Sequence, residues 1–302
     1  MTSPRRRRIL AALASTCTPL FGSVSVGASS LPALKALPKT PRMPVVFVGH
    51  GSPRNVITEN PWRPQWEALG RKFGSEYPQP AVILCVSAHW LTQGWWITGQ
   101  AKPKTIHDFG GFPAVMYEQQ YPAPGHPQVA QTIAGLAGSR SLELDTTEWG
   151  FDHGNWSVMK SMFPRADLPV LQLSMDYSRP PQEHLELARE LKVLRDHGVL
   201  IIGSGNVVHN LRASQRGAPP DQAYDWAHAF DAWAKPLMEK GDGKTLATFL
   251  SMGQLARLAH PSHDHMLPLL HALGAVTPGE RVRQFGEGFQ SGSISMRSAI
   301  WG

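Results

Sequence analysis

Four short apolar runs punctuate the chain, and stretches of helical periodicity lie between them. Pro44-Val-Val-Phe-Val48, Ala81-Val-Ile-Leu-Cys-Val-Ser87, Pro169-Val-Leu-Gln-Leu-Ser174 and Val199-Leu-Ile-Ile-Gly203 are near-continuous rather than alternating. Such runs predict strands buried on both faces, as in a parallel sheet. Residues 127–137 (PQVAQTIAGLA) place Pro127 at a first helical turn, where its missing N–H costs nothing. Residues 181–197 (PQEHLELARELKVLRDH) space Leu187, Leu191 and Leu194 at i, i+4, i+7 among charges, which is one helical face. Residues 222–239 repeat the pattern, with Trp226, Phe230 and Trp233 as inward positions. The alternation predicts an α/β fold: a single three-layer domain with a mixed or mostly parallel sheet covered by helices. The Pro/Gly-rich segments 101–127 and 214–221 read as loops. The first is too long for a simple connection, and long loops in compact domains tend to be functional. No internal repeat or composition shift divides the body.

The 302 residues carry a formal charge of +6. Residues 1–43 hold Arg5, Arg6, Arg7, Arg8, Lys35, Lys39 and Arg42 and no acid; the rest holds 22 basic and 23 acidic residues. The body is therefore near neutral and has no basic stripe for phosphates, which argues against nucleic acid as a partner. The excess belongs to a leader, residues 1–42. Arg5 to Arg8 precede the uncharged stretch Ile9 to Gly22, and Val26-Gly27-Ala28 offers a small-residue cleavage site near residue 28. That is the order of an export signal, and Arg6-Arg7-Arg8-Ile9-Leu10 resembles a twin-arginine signal. The expectation is a periplasmic protein carried by the twin-arginine (Tat) export machinery, or a cytoplasmic one if translation starts at Met43. Ser15, Thr16, Thr18 and Pro19 interrupt the apolar stretch, so a permanent membrane span is not expected. Cys17 and Cys85 form neither a disulfide framework nor a zinc-type pair, and Cys85, inside an apolar run, reads as a buried inert thiol.

The histidines carry the chemistry. His50 directly follows the first run, His89 the second after Ala88, and His209 the fourth after Ser204-Gly-Asn-Val-Val208. Ligand sites of open α/β sheets lie outside the carboxyl ends of strands. Three imidazoles delivered there suit one mononuclear divalent metal with an open position. His153 sits in a glycine- and aromatic-rich loop, His107 in the long loop, and His265 at the start of an apolar helical stretch. His126, His184, His197, His228, His260 and His271 lack a strand-end context and read as surface or core residues.

Six motifs in order resemble the 4,5-DOPA extradiol dioxygenase family of class III extradiol ring-opening dioxygenases. They are Gly49-His-Gly-Ser-Pro53, Ser87-Ala-His-Trp90, Thr105-Ile-His-Asp-Phe-Gly-Gly-Phe-Pro113, Gly150-Phe-Asp-His-Gly-Asn-Trp156, Ser204-Gly-Asn-Val-Val-His-Asn-Leu211 and His265-Met-Leu-Pro-Leu269. The resemblance covers essentially all of residues 43–302. The resemblance implies metal ligands at His50, His89, His209 and His265. It leaves His209 either a ligand or a proton-transfer residue. It implies Zn2+ or Fe2+, with Fe2+ expected for turnover, and a small aromatic diol and O2 as reactants. Asp264 stands where the family suggests Glu.

The expected reaction is extradiol cleavage of a catechol ring. His153 is the expected acid/base, because an imidazole titrates near neutrality. His107 is expected to orient the substrate, with Phe109, Phe112 and Trp156 able to stack on its ring. Two other classes fit three histidines: a zinc-dependent hydrolase, and an exported metal-binding protein without catalysis. No HExxH motif supports the first.

Overall fold

A computed structural model describes residues 37–302. Its strands are β1 (Val45–Gly49), β2 (Val82–Thr92), β3 (Trp95–Thr98), β4 (Leu142–Asp145), β5 (Val170–Asp176), β6 (Val199–Gly205), β7 (Val282–Phe285), β8 (Phe289–Gln290), β9 (Ile294–Ser295) and β10 (Ser298–Trp301). Eight form one sheet in the order β4-β3-β5-β2-β6-β1-β10-β7, and β8 pairs with β9. The four apolar runs are its parallel centre, β5-β2-β6-β1. On the two flanks, β3 runs antiparallel to β5 and β10 antiparallel to β1, so the sheet is mixed.

The continuous runs are apolar because both faces are covered. Val46, Val48, Ile83, Cys85, Leu200 and Ile202 pack with the helices Arg63–Gly70 and His153–Met162. Val45, Phe47, Leu84, Val86 and Ile201 pack with the helices Pro127–Ala134, Pro181–Leu191, Asp225–Lys240 and Leu267–Ala275. Each fully buried aliphatic side chain is worth about 1.5–3 kcal/mol, so a polar residue on either face is costly. This is the expected three-layer α/β domain.

Leu187, Leu191 and Leu194 are all buried, but the 181–197 segment is not one helix. It turns into a 3-10 segment at Lys192–His197 and stops at Gly198, whose φ of 73° is a left-handed cap that favours glycine. The pieces missed by pattern are the flanking strands, for example Leu142–Asp145 (LELD) and Val282–Phe285 (VRQF), short and partly polar because one side of each is open.

The signal-type segment, Arg5 to Ala28, lies outside the described residues. Residues just before Met43 already belong to the folded body: Thr40 N–H donates to Asp196 O at 3.0 Å and Arg42 pairs with Asp196 at 3.1 Å. Among the described residues no helix is long and apolar enough to cross a membrane.

Candidate metal centre

The parallel strands β1, β2, β5 and β6 end on one edge of the sheet, and five histidines meet there. His50 directly follows β1. His89 does not follow β2 but lies within it. The strand runs on to Thr92, and its register against β5 shifts between Val86 and Leu91. The irregularity re-aims one side chain, a common use of a bulge. His209 lies four residues beyond β6, held by its N–H to Ala259 O at 2.9 Å and by a bridge to Ile294. His265 sits in the 3-10 turn Asp264–Met266, and His153 is the first residue of the helix His153–Met162.

Ring centroids lie 5.1 Å apart for His50–His89, 5.3 Å for His50–His265, 5.0 Å for His89–His265 and 3.8 Å for His89–His153. Hydrogen bonds fix how the rings point. Ser204 Oγ donates to Gly154 O at 2.5 Å, so it accepts from His50 Nδ1–H at 3.0 Å. His265 Nδ1–H donates to Asp264 Oδ1 at 2.7 Å. His89 Nδ1 lies 3.3 Å from Asp108 Oδ2. Each Nδ1 thus carries the proton, and each Nε2 keeps a lone pair. The His50 and His89 Nε2 atoms face each other at 3.2 Å, and His265 Nε2 is buried without a hydrogen-bond partner. Lone pairs gathered in this way repel unless a cation joins them.

A proton is a poor candidate for that cation. Burial first, and then mutual repulsion with other histidines, pushes His50 well below the usual 6.5; His265 behaves likewise. His89 is also pushed well below, by burial and then by His153, although Asp108 acts against this. Neutral imidazoles backed through Nδ1 by a carboxylate or hydroxyl are the ligand form that transition metals take. The residues therefore fit one divalent ion.

His209 is placed differently. Its ring stacks on His265 at 3.4 Å and 6°. Ligand atoms of His209, Asp264 and His265, one from each, lie within 4.8 Å of one another, as do those of His50, His89 and His153. Burial is the main cause that lowers His209 to about 4.

His153 Nδ1–H donates to Asp108 Oδ2 at 2.9 Å, and its backbone N–H to Asp108 Oδ1 at 2.8 Å. Burial alone would raise Asp108, but the hydrogen bond and charge of His153, with His89, hold it down at about 2. One carboxylate thus backs both His89 and His153. Behind them Asp152 is fully buried. Burial, then the charge of Asp108, pushes it up to about 6. Asp108 and Asp152 were not singled out from the sequence. The available signal was their place beside a histidine in two of the quoted motifs.

The aromatic expectations divide. Phe109 is half-buried with its ring 5.6 Å from His153, edge-on. Trp156 is fully buried and its Nε1–H donates to Ile106 O at 2.9 Å. It supports the long loop from beneath and offers no face to a substrate, contrary to expectation. His107 Nε2–H donates to Gln119 O at 2.8 Å, which ties the same loop together. Cys85 is a buried free thiol, raised well above its usual value mainly by burial, as expected of an inert one. Of the six remaining histidines, His184, His197, His260 and His271 are buried, and His126 caps the helix Pro127–Ala134.

Residues 41–293 match the family described as the catalytic LigB subunit of aromatic ring-opening dioxygenase. The chain is 43% identical over 260 residues to a 4,5-DOPA dioxygenase extradiol of Escherichia coli K12, covering 85% of this chain and 94% of the relative. It is 34% identical over 258 residues to a protein of the same name from Beta vulgaris, covering 83% and 94%. The fold is similar to a crystal structure of an uncharacterized protein from E. coli K12, with a TM-score of 0.74 and 37% identity, covering 86% of this chain and all of that one.

Proposed function

Because the chain belongs to the family of the catalytic LigB subunit of aromatic ring-opening dioxygenases and is a metal-dependent extradiol dioxygenase, we propose that it opens a DOPA-type catechol with O2 at one ferrous ion held by His50, His89 and His265. The observation that carries the ligand set is the 3.2 Å approach of the His50 and His89 Nε2 atoms, with the His265 ring centroid 5.3 and 5.0 Å from the centroids of those rings and each ring backed through Nδ1. Ferrous iron bound there supplies Lewis acidity toward a catechol hydroxyl and the redox chemistry that O2 requires.

The protein's own groups handle the protons and the fit. His153 Nε2 is the base for the second catechol hydroxyl. Asp108 holds the ring in the tautomer that leaves Nε2 free and stabilises the imidazolium once the proton has moved, the division of labour of a carboxylate–histidine pair. The proton is then available to the rearranging product oxygen. His209, stacked on the His265 ring and within ligand reach of it, is a fourth candidate ligand or a second group for proton transfer. Phe109 bounds the ring pocket beside His153, while His107 and Trp156 hold its loop in shape and limit water entry.

Anaerobic exchange of the metal tests the reading. Ring opening with Fe2+ and none with Zn2+ supports it; activity confined to Zn2+ points to a hydrolase, and none with either to a binding protein. The leader supports periplasmic location by the twin-arginine route, and fractionation with N-terminal sequencing of the mature protein tests it: a mature start at Met43 in the cytoplasm overturns it.

A further inference from the structure

The first turn of the helix His153–Met162 reaches beyond its own histidine. Asp152, its N-cap, accepts from Asn155 N–H at 3.2 Å, an ordinary capping bond. The same buried carboxylate makes two bonds that no cap requires. Ser87 Oγ donates to Oδ1 at 2.6 Å, and Gln172 Nε2–H donates to Oδ2. Ser87 lies at the register shift of β2, and its Oγ also accepts from His89 N–H at 3.3 Å. Gln172 belongs to β5, and its Oε1 accepts from Asn155 Nδ2–H at 3.0 Å.

The helix is seated on the β2 bulge as closely as backbone allows. A Cβ at Gly154 would fall 2.4 Å from Ser87 Oγ and 2.9 Å from His89 Cδ2. Gly154 O in turn accepts from Ser204 Oγ, the group that receives His50 Nδ1–H. One helical turn thus sets His153, His89 and His50 against one another.

We propose that Asp152 is a positioning residue that fixes His153 against His89 by clamping the β2 bulge to the helix start through Ser87. The inference rests on the dioxygenase reading for its kinetic readout. What the clamp controls is the 3.8 Å spacing of the His89 and His153 rings. A misplacement on the order of 1 Å in a reacting constellation costs about 100-fold in rate.

The test compares wild type, Ser87→Ala, Asp152→Asn and the double variant, each loaded with iron. The readouts are kcat, KM, the iron dissociation constant by chelator competition, and the thermal midpoint. Each single variant is expected to lose roughly 10- to 100-fold in kcat with KM little changed. Iron is expected to bind more weakly, because the bulge carries His89. The double variant should be no worse than the poorer single one, since both remove the same clamp. Wild-type kcat and iron affinity in folded variants, or losses that multiply in the double variant, overturn the proposal. If Asp152→Asn does not fold, Ser87→Ala decides alone. A loss in kcat at an unchanged thermal midpoint supports the clamp, and wild-type kcat overturns it. A wild-type protein that opens no ring sinks the dioxygenase reading instead, and the iron dissociation constants then decide the clamp.

Discussion

Asp108→Asn is the substitution with the most to lose for its size. The carboxylate receives His153 Nδ1–H at 2.9 Å and His153 N–H at 2.8 Å, and lies 3.3 Å from His89 Nδ1. An asparagine keeps one oxygen and turns an NH2 group toward the other donors. Both rings face Oδ2 while His153 N–H donates to Oδ1. The backbone N–H cannot change role, so the remaining oxygen goes to it and the NH2 faces the rings. A ring that takes the opposite tautomer then carries a proton on Nε2 where a lone pair is needed. If the ring is His89, a ligand is lost; if His153, the base is lost. Weakening an outer partner of a metal-bound histidine costs about 10- to 100-fold in metal affinity. The corresponding Asp-to-Asn change in a carboxylate–histidine pair costs about 10⁴ in kcat through the wrong tautomer. In the wild type Asp108 is held ionised down to about pH 2, so its carboxylate is an acceptor at every working pH. The assay is oxygen uptake with a catechol at saturating iron, together with iron affinity by chelator competition. We expect kcat to fall by roughly 10³–10⁴ and iron to bind at least tenfold more weakly. A folded variant within roughly threefold of wild type in both quantities refutes the shared-carboxylate account, since such a change is under 1 kcal/mol.

Three further outcomes follow from the same geometry. Asp264→Asn removes the charged acceptor behind His265 and should weaken metal binding by about 10- to 100-fold, read by chelator competition, whereas Asp264→Glu should retain most of it. In the metal-free protein, burial lowers both His184 and His260 to about 4 from 6.5. The unfolded chain therefore binds more protons than the native one between those values, so stability present above pH 6.5 is lost as pH falls toward 4, by roughly 3 kcal/mol per group. Urea midpoints that are flat from pH 7 to pH 4.5 would contradict this. Phe109→Ala removes the ring beside His153 and should raise KM for the catechol several-fold while leaving iron affinity unchanged; an unaltered KM in steady-state assays would place the substrate elsewhere.

The centre of the fold was legible because its strands are buried on both faces, which forces the continuous apolar runs at Val45, Val82, Val170 and Val199. The edge strands were not, since β4 and β7 cover one side only and carry polar residues that read as loop. His50 was placed from the sequence because it abuts the end of β1. His89 was brought to the right edge for the wrong local reason: β2 continues past it, and a register shift, invisible to a period count, turns it inward. The stacking of His209 on His265, 56 positions away, is encoded by no local pattern. Asp108 and Asp152 were hidden for the same cause. Each works through partners 45 and 65 residues distant, and a carboxylate beside a histidine in sequence says nothing of which histidine it faces. Trp156 misled because a conspicuous aromatic in a motif serves packing as readily as stacking.

The central claim is that His50, His89 and His265 hold the metal at which a catechol ring is opened by O2. Mass spectrometry of the product formed under ¹⁸O2 by the iron-loaded protein tests it most directly, run beside His50→Ala, His89→Ala and His265→Ala. The account predicts a ring-opened product carrying both atoms of one O2 from the wild type, and neither iron retention nor product from the three variants. An unlabelled product, or labelled product from any of those variants at the wild-type rate, would contradict it.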